Sequence, residues 1–361
     1  MRTKTLMFLI TYRCNLRCSY CYEPKSSANK IETEHLKKLI KEKVQSLPDI
    51  FDSFELHFMG GEPLLEFPVI KEVAEWVWTQ NFDRKLMMIY APTNGTLLNE
   101  EIKAWCHSNR ERFCLGLSFD GDESMQNMNR SSSASSVDLD FFLNTWNVQS
   151  VKMTVSPATI SNLYNGALYL HKKGFKRIEA DMARGKNIEW TEQHLKTLSH
   201  QLELLSDFYV KKPEMYHFSM LEMDIFALKE NDKNKTKICS CGENLTCVDI
   251  DGEEYACHLF SPVALPKEKA KMSQQIDFFD TESFRDEECD TCVLKNLCTQ
   301  CYGMNYLLTG RVDKSDPVNC AAFKIMYLAN IKHRYKIAKI NNDEYMIERI
   351  NYLFNLHTYE K

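Results

Sequence analysis

Residues 8–22 read Phe-Leu-Ile-Thr-Tyr-Arg-Cys-Asn-Leu-Arg-Cys-Ser-Tyr-Cys-Tyr. A short apolar run of β character feeds directly into Cys14, Cys18 and Cys21, spaced x3 and then x2, so that three thiolates share one tight loop. Three is the constraining number. A closed structural zinc site takes four protein ligands, and a disulfide framework takes an even set in an oxidising compartment. A cubic iron-sulfur cluster held by three thiolates leaves one iron open to a small-molecule ligand.

The remaining composition narrows the setting. At 361 residues the chain exceeds the usual single domain, and one large plus one small domain is expected. Its 44% hydrophobic and 26% charged content is that of a soluble globular protein with a substantial core. With a formal charge of −5 and no basic tract, a nucleic-acid-binding surface is excluded. The N-terminal apolar run is too short for a signal peptide and no stretch is long enough to span a bilayer, so a cytoplasmic protein without membrane contact is expected. Fourteen cysteines in a cytosolic chain point to metal binding or catalysis rather than pairing. Twelve fall in two clusters, 14–21 and 239–320, while Cys106 and Cys114 read as buried packing residues.

From the start to about residue 185, short apolar runs alternate with helical spacing. Strands are expected over 6–11, 54–59, 86–91, 113–119, 151–155 and 177–182, and helices over 32–47, 67–81, 98–109, 137–147, 160–173 and 190–210. Such alternation implies an α/β fold with parallel βαβ units, whose active sites gather at the carboxyl ends of the strands. The polar motifs fall at those ends. After the second strand comes Met59-Gly60-Gly61-Glu62-Pro63, after the third Thr93-Asn94-Gly95, and after the fourth Ser118-Phe119-Asp120-Gly121. Ser156 and Met182 end the fifth and sixth. The Ser-rich stretch 129–137 reads as a flexible rim loop.

Cys14, Cys18 and Cys21, with Tyr20 before the third cysteine, resemble the signature of the radical S-adenosylmethionine (SAM) enzymes. The resemblance implies a partial (β/α)6 barrel in which the open iron chelates the amino and carboxylate groups of SAM. It further implies that Gly60, Gly61, Glu62 and Pro63 receive the SAM amino group, with Gly60 and Gly61 allowing close approach. Ser118 and Asp120 would meet its ribose and carboxylate, Ser156 a hydroxyl and Met182 the adenine face. Thr93 and Asn94 add polar groups at the same rim.

Beyond residue 212 turn residues and cysteine replace the alternation. Cys239, Cys241, Cys247 and Cys257 flank a hairpin with an Asp-Gly turn, and Cys289-x2-Cys292-x5-Cys298-x2-Cys301 follows, then Cys320. Paired zinc knuckles are one reading. The pattern also resembles the SPASM extension of radical SAM peptide-modifying enzymes, which holds two auxiliary four-iron clusters, although the last spacing is x2 where the family has x3. By that resemblance Cys241, Cys257 and Cys301, with Cys239 preferred to Cys247, hold an inner cluster, and Cys289, Cys292, Cys298 and Cys320 an outer one. The expected units are 1–211 (barrel), 212–320 (SPASM) and 321–361 (C-terminal helices).

The resemblance implies three 4Fe-4S clusters, bound SAM and a reductant such as flavodoxin or ferredoxin. One-electron cleavage of SAM would give a 5′-deoxyadenosyl radical that removes a hydrogen atom from a precursor peptide or protein, with the auxiliary clusters taking the surplus electron. An intramolecular thioether, C-C or C-O crosslink is the expected product. Because the sequence opens on its first expected strand, a leader-recognition domain ahead of it is not expected, and a leader would dock on the barrel, on the C-terminal helices or on a separate protein. In related anaerobic sulfatase maturases an Asp base follows the Gly-x4-Cys cysteine; His258 stands there, a candidate base near neutral pH. Sulfatase-maturase-like oxidation of Cys or Ser and a non-catalytic iron-sulfur peptide-binding or electron-transfer role are the alternatives.

Overall fold

The structure, a computed structural model, describes residues 2–23, 29–226, 237 and 239–358. In chain order the first half contains β1 (Thr3–Thr11), α1 (Thr33–Gln45), β2 (Ser53–Gly60), α2 (Phe67–Val77), β3 (Lys85–Thr93), α3 (Glu100–Ser108), β4 (Phe113–Leu117), α4 (Glu123–Asn129), α5 (Leu139–Thr145), β5 (Val151–Val155), α6 (Leu163–Lys173), β6 (Ile178–Met182) and α7 (Glu192–Val210). Then follow β7 (Leu245–Val248), β8 (Glu254–Tyr255), α8 (Lys267–Ser273), α9 (Tyr302–Thr309), α10 (Pro317–Ile340) and α11 (Glu344–Thr358).

β1 organises the sheet. Alternate side chains of a strand point to opposite faces, and both faces of β1 are buried. Leu6, Phe8 and Ile10 enter the core beneath α1 and α2, whereas Met7 and Leu9 enter a second core built from the cysteine-rich region. Six strands run in the order β4-β3-β2-β1-β7-β8, parallel except for the β7–β8 hairpin. β5 and β6 pair in parallel with each other, and an isolated bridge between Ser118 and Lys152 links them to β4. The helices bury one stripe each, as α1 does through Leu36, Leu39, Ile40 and Val44.

The six expected strands are present within a few residues of their expected bounds. Three features differ from expectation. β7 does not stand apart with the cysteine-rich segment but extends the N-terminal sheet along β1, Cys247 lying opposite Met7. α4 forms where no helix was expected, because Asp122 caps it by accepting from the Met125 amide at 2.9 Å. The Ser-rich stretch is docked rather than free: Ser133 is buried and accepts from Gln126 Nε2 at 2.9 Å.

The C-terminal helices fold back as expected, residues 359–361 lying outside the described residues. α10 lies along α7. Asn330 donates to the Met220 carbonyl at 2.7 Å and accepts from the Met223 amide at 2.9 Å. Beside it the buried His333 ring meets Ser206 Oγ and His217 Nδ1, each at 3.0 Å. No helix among the described residues is long and apolar enough to cross a membrane.

Burial, followed by His217, Arg334 and Lys336 nearby, pushes the His333 imidazole down from 6.5 to about 3. His217 is lowered too, by burial above all. The folded protein therefore refuses a proton that the unfolded chain accepts below pH 6.5, so stability is present above that pH and lost as pH falls through the window. His333 alone is expected to cost about 2 kcal/mol at about pH 5. Denaturation of the wild type and His333→Gln across that range should show a shallower pH slope in the variant.

Candidate active site at the cysteine loop

The cysteine loop leaves β1 without regular structure, so the neighbouring strand ends supply its hydrogen bonds. Gly61 N donates to the Thr11 carbonyl at 3.0 Å and Glu62 N to the Arg13 carbonyl at 2.8 Å. Both glycines are required by this contact. Gly60 has φ +146°, and a Cβ on it would lie 2.0 Å from the Thr11 oxygen; one on Gly61 would lie 2.3 Å from the Arg13 oxygen and 3.0 Å from Cys14 Cβ. The close approach they permit is made, in this structure, by the backbone that carries Cys14.

Glu62 is 1% exposed. Its carboxylate accepts from Thr93 Oγ1 and the Asn94 amide, both at 2.8 Å, and from the Leu64 amide at 3.1 Å. Burial raises its pKa and these donors oppose the rise. Pro63 opens the short 3₁₀ turn that follows. Asn94 also donates to Asn15 Oδ1 at 2.9 Å, tying the end of β3 to the loop between Cys14 and Cys18.

Asp120 is the second buried carboxylate, with no exposed surface. It accepts from Tyr20 OH at 2.6 Å, Asn129 Nδ2 at 3.1 Å and the Thr154 amide at 2.8 Å, and it pairs with Arg130 at 3.1 Å. The Arg130 guanidinium lies 5.5 Å from the Tyr20 ring centroid. Ser156 Oγ donates to Asn129 Oδ1 at 2.8 Å, the Ser19 amide to the Asn129 carbonyl at 2.9 Å and the Arg17 amide to Ser131 Oγ at 2.8 Å. Burial, above all, lifts the Tyr20 hydroxyl well beyond its ordinary pKa.

Tyr20, Glu62, Thr93, Asn94, Asp120 and Ser156 are thus joined around the loop. Ser118 reaches Thr93 through its backbone amide at 2.9 Å, and Met182 packs in the core. Asn15, Asn129 and Arg130 were not anticipated, because nothing in their spacing marks them.

The second cysteine group divides into two sets. Cys241 donates to Cys239, holding the Cys239 thiol down, and both lie within electrostatic reach of Cys257. Cys301 interacts with Cys257 and Cys239. Cys247 is fully buried in β7, also near Cys257. Cys289, Cys292, Cys298 and Cys320 all line one cavity of about 40 Å³ whose other walls include Phe284, Tyr302 and Phe323. Arg184, following β6, exerts its positive charge on both Cys298 and Cys301. Among the described residues, no three Cys, His, Asp or Glu side chains are grouped to hold a single metal ion. Cys106 is buried as expected, and Cys114 is half-buried with its thiol on Gln149 Oε1 at 2.6 Å.

A larger cavity, about 720 Å³, opens between residues 19–23, the turn 185–188 after β6, residues 262–267 and Leu307 of α9. Tyr22 lines it, with the His258 ring 5.7 Å behind. His258 Nδ1 has no hydrogen-bond partner among the described residues. Burial pushes this imidazole down to about 4, leaving it neutral at pH 7 and a weaker base there than its sequence position suggested.

Asp120→Asn is expected to leave the buried Arg130 charge without its counter-ion and to destabilise the protein by about 3 kcal/mol. In an anaerobic denaturation cycle, adding Arg130→Met should restore part of that loss; additive effects would mean the two groups are not coupled.

A profile described as the radical SAM superfamily matches residues 8–198. An uncharacterised protein of Methanocaldococcus jannaschii is 24% identical over 283 residues, 74% of this chain and 93% of its own length. A serine-type anaerobic sulfatase-maturating enzyme of Klebsiella aerogenes is 33% identical over 141 residues, 35% of this chain, and the match spans only 31% of that enzyme. A cysteine-type anaerobic sulfatase-maturating enzyme of Clostridium perfringens is 24% identical over 332 residues, covering 79% of this chain and 84% of the relative. Among solved structures, native anSMEcpe with bound AdoMet and Cp18Cys peptide superposes with TM-score 0.67 at 19% identity, covering 97% of this chain and 99% of that one. Streptococcus suis SuiB bound to precursor peptide SuiA gives TM-score 0.57 at 13% identity over 88% and 76% of the two chains. These two share the fold. With more than half of its length matched, the chain belongs to the radical SAM superfamily of enzymes.

Proposed function

We propose that this enzyme is a peptide maturase that removes a hydrogen atom from a ribosomally made peptide and oxidises it, most simply to an intramolecular crosslink. The observation that carries this reading is the cavity of about 720 Å³ with the cysteine loop on one wall and the cysteine-rich region on another. A substrate seated there touches both. Similarity to sulfatase-maturating enzymes and to a precursor-peptide-bound fold supports a peptide as substrate.

The donor set fits the implied cofactors. Cys289, Cys292, Cys298 and Cys320 line one partly apolar cavity, a four-thiol set that would hold an outer auxiliary cluster. Cys239, Cys241, Cys257 and Cys301 would hold the inner one, with Cys247 left to pack in β7. Cys14, Cys18 and Cys21 would hold the third. When bound, the reduced cluster and SAM supply a 5′-deoxyadenosyl radical for hydrogen abstraction, with flavodoxin or ferredoxin as electron source.

The chain's own residues set the geometry. Glu62 and Asp120 fix the loop through their donors, Tyr20 included, and SAM would lie along the strand ends that carry residues 60–63, Ser118, Ser156 and Met182, where Gly60 and Gly61 let the loop backbone pack close. The parallel run from β1 to β4, continued by the Ser118 bridge to β5 and β6, supports the partial-barrel reading. Residues 1–211 would form that unit, 212–320 the auxiliary-cluster unit and 321–361 the helical close. Sulfatase-type oxidation is the second reading, favoured by the 84% coverage of the Clostridium perfringens relative. His258, standing where the sulfatase maturases carry an Asp, weighs against it.

Anaerobic reconstitution should give about twelve irons per chain, and about eight when Cys14, Cys18 and Cys21 are all changed to Ala. With dithionite and SAM the wild type should release 5′-deoxyadenosine and the triple variant none. Zinc in the C-terminal region would overturn the auxiliary-cluster assignment, and no 5′-deoxyadenosine from the wild type, with or without peptide, would favour the non-catalytic binding role.

A further inference from the structure

The walls of the larger cavity carry a charge pattern. Ile188, Leu265 and Leu307 are apolar, while Lys186, on the turn after β6, and Lys267, at the start of α8, supply a cation from each of two walls. Both lysines are exposed, and neither has an ion-pair or hydrogen-bond partner among the described residues. The acidic residue lining the same space, Glu23, is engaged within the chain. Lys267 also exerts its charge on Asp249, and with Lys186 it places two cations on one cavity of a protein whose formal charge is −5. A cleft in which one sign of charge predominates concentrates ligands of the opposite sign.

We propose that Lys186 and Lys267 select a peptide that brings a carboxylate into this cavity beside an apolar residue. The carboxylate belongs either to an Asp or Glu near the modified residue or to the peptide's C-terminus. The apolar walls take the neighbouring side chain, and the lysines, which make no hydrogen bond or close ion pair among the described residues, pair with the carboxylate. This inference rests on the cavity being the peptide site of the proposed function.

The test uses the reconstituted full chain under anaerobic conditions and fluorescein-labelled peptides. One probe is Leu-Asp-Ala-Cys-Ala-Asp-Leu-amide, a second replaces both Asp by Asn, and a third is the Asn peptide with a free C-terminal carboxylate. A carboxylate-bearing probe should bind about fivefold tighter than the neutral one at low salt, as two exposed charge pairs allow. Adding salt should shrink the difference, and Lys186→Glu with Lys267→Glu should reverse it. Preference for the Asp probe assigns the side chain, preference for the free terminus assigns the C-terminus, and either supports the proposal. Equal binding of charged and neutral probes, or no binding of any, overturns it. So does a charge reversal that weakens SAM more than peptide, because the lysines then serve the cofactor. Failure of the peptide-maturase reading shows separately, as wild-type protein that releases no 5′-deoxyadenosine.

Discussion

Two buried carboxylates hold the cysteine loop in place. An ionised carboxylate taken out of water is costly unless donors replace its hydration, and here Glu62 and Asp120 each find three or more. Those donors come from different segments: Thr93, Asn94 and Leu64 for one, Tyr20, Asn129, Arg130 and Thr154 for the other. Each carboxylate therefore works as a knot. A loop that has no internal ladder acquires a defined shape because leaving it would strand these groups.

β1 provides the second constraint. With Leu6, Phe8 and Ile10 in one core and Met7 and Leu9 in the other, a single strand is the wall shared by the N-terminal half and the cysteine-rich region. The loop emerges from its end, and β7 lies alongside it in parallel. Tyr12, just past β1, donates to Asp249, just past β7, which closes the same junction. The strand that leads into the three-cysteine loop and the strand that carries Cys247 are thus neighbours in one sheet, and residues 19–23 and 262–267 share a cavity.

Much of this could be read from the chain because it is written in local patterns. Apolar strand runs, strand-end motifs and cysteine spacing each involve a few consecutive residues, and the four cysteines that the SPASM resemblance groups together, Cys289, Cys292, Cys298 and Cys320, line one cavity. What escaped notice depends on contacts between distant segments. Asn129 and Arg130 sit in a polar stretch indistinguishable from solvent loop until Asp120 is placed opposite them. Gly60 and Gly61 look like residues cleared for a ligand, yet their neighbour is the chain itself. β7 joins β1 through a pairing across more than two hundred residues, and no periodicity encodes that partner.

The central claim is that the metal held by Cys14, Cys18 and Cys21 keeps one coordination position for SAM. Electron-nuclear double resonance on the reduced, reconstituted protein, with SAM isotopically labelled at its amino nitrogen and carboxylate, reads that position directly. The account predicts hyperfine coupling from both labels, lost when Cys14, Cys18 and Cys21 are replaced. Absence of coupling from labelled SAM, with a protein nitrogen or a fourth thiolate detected in its place, would contradict it.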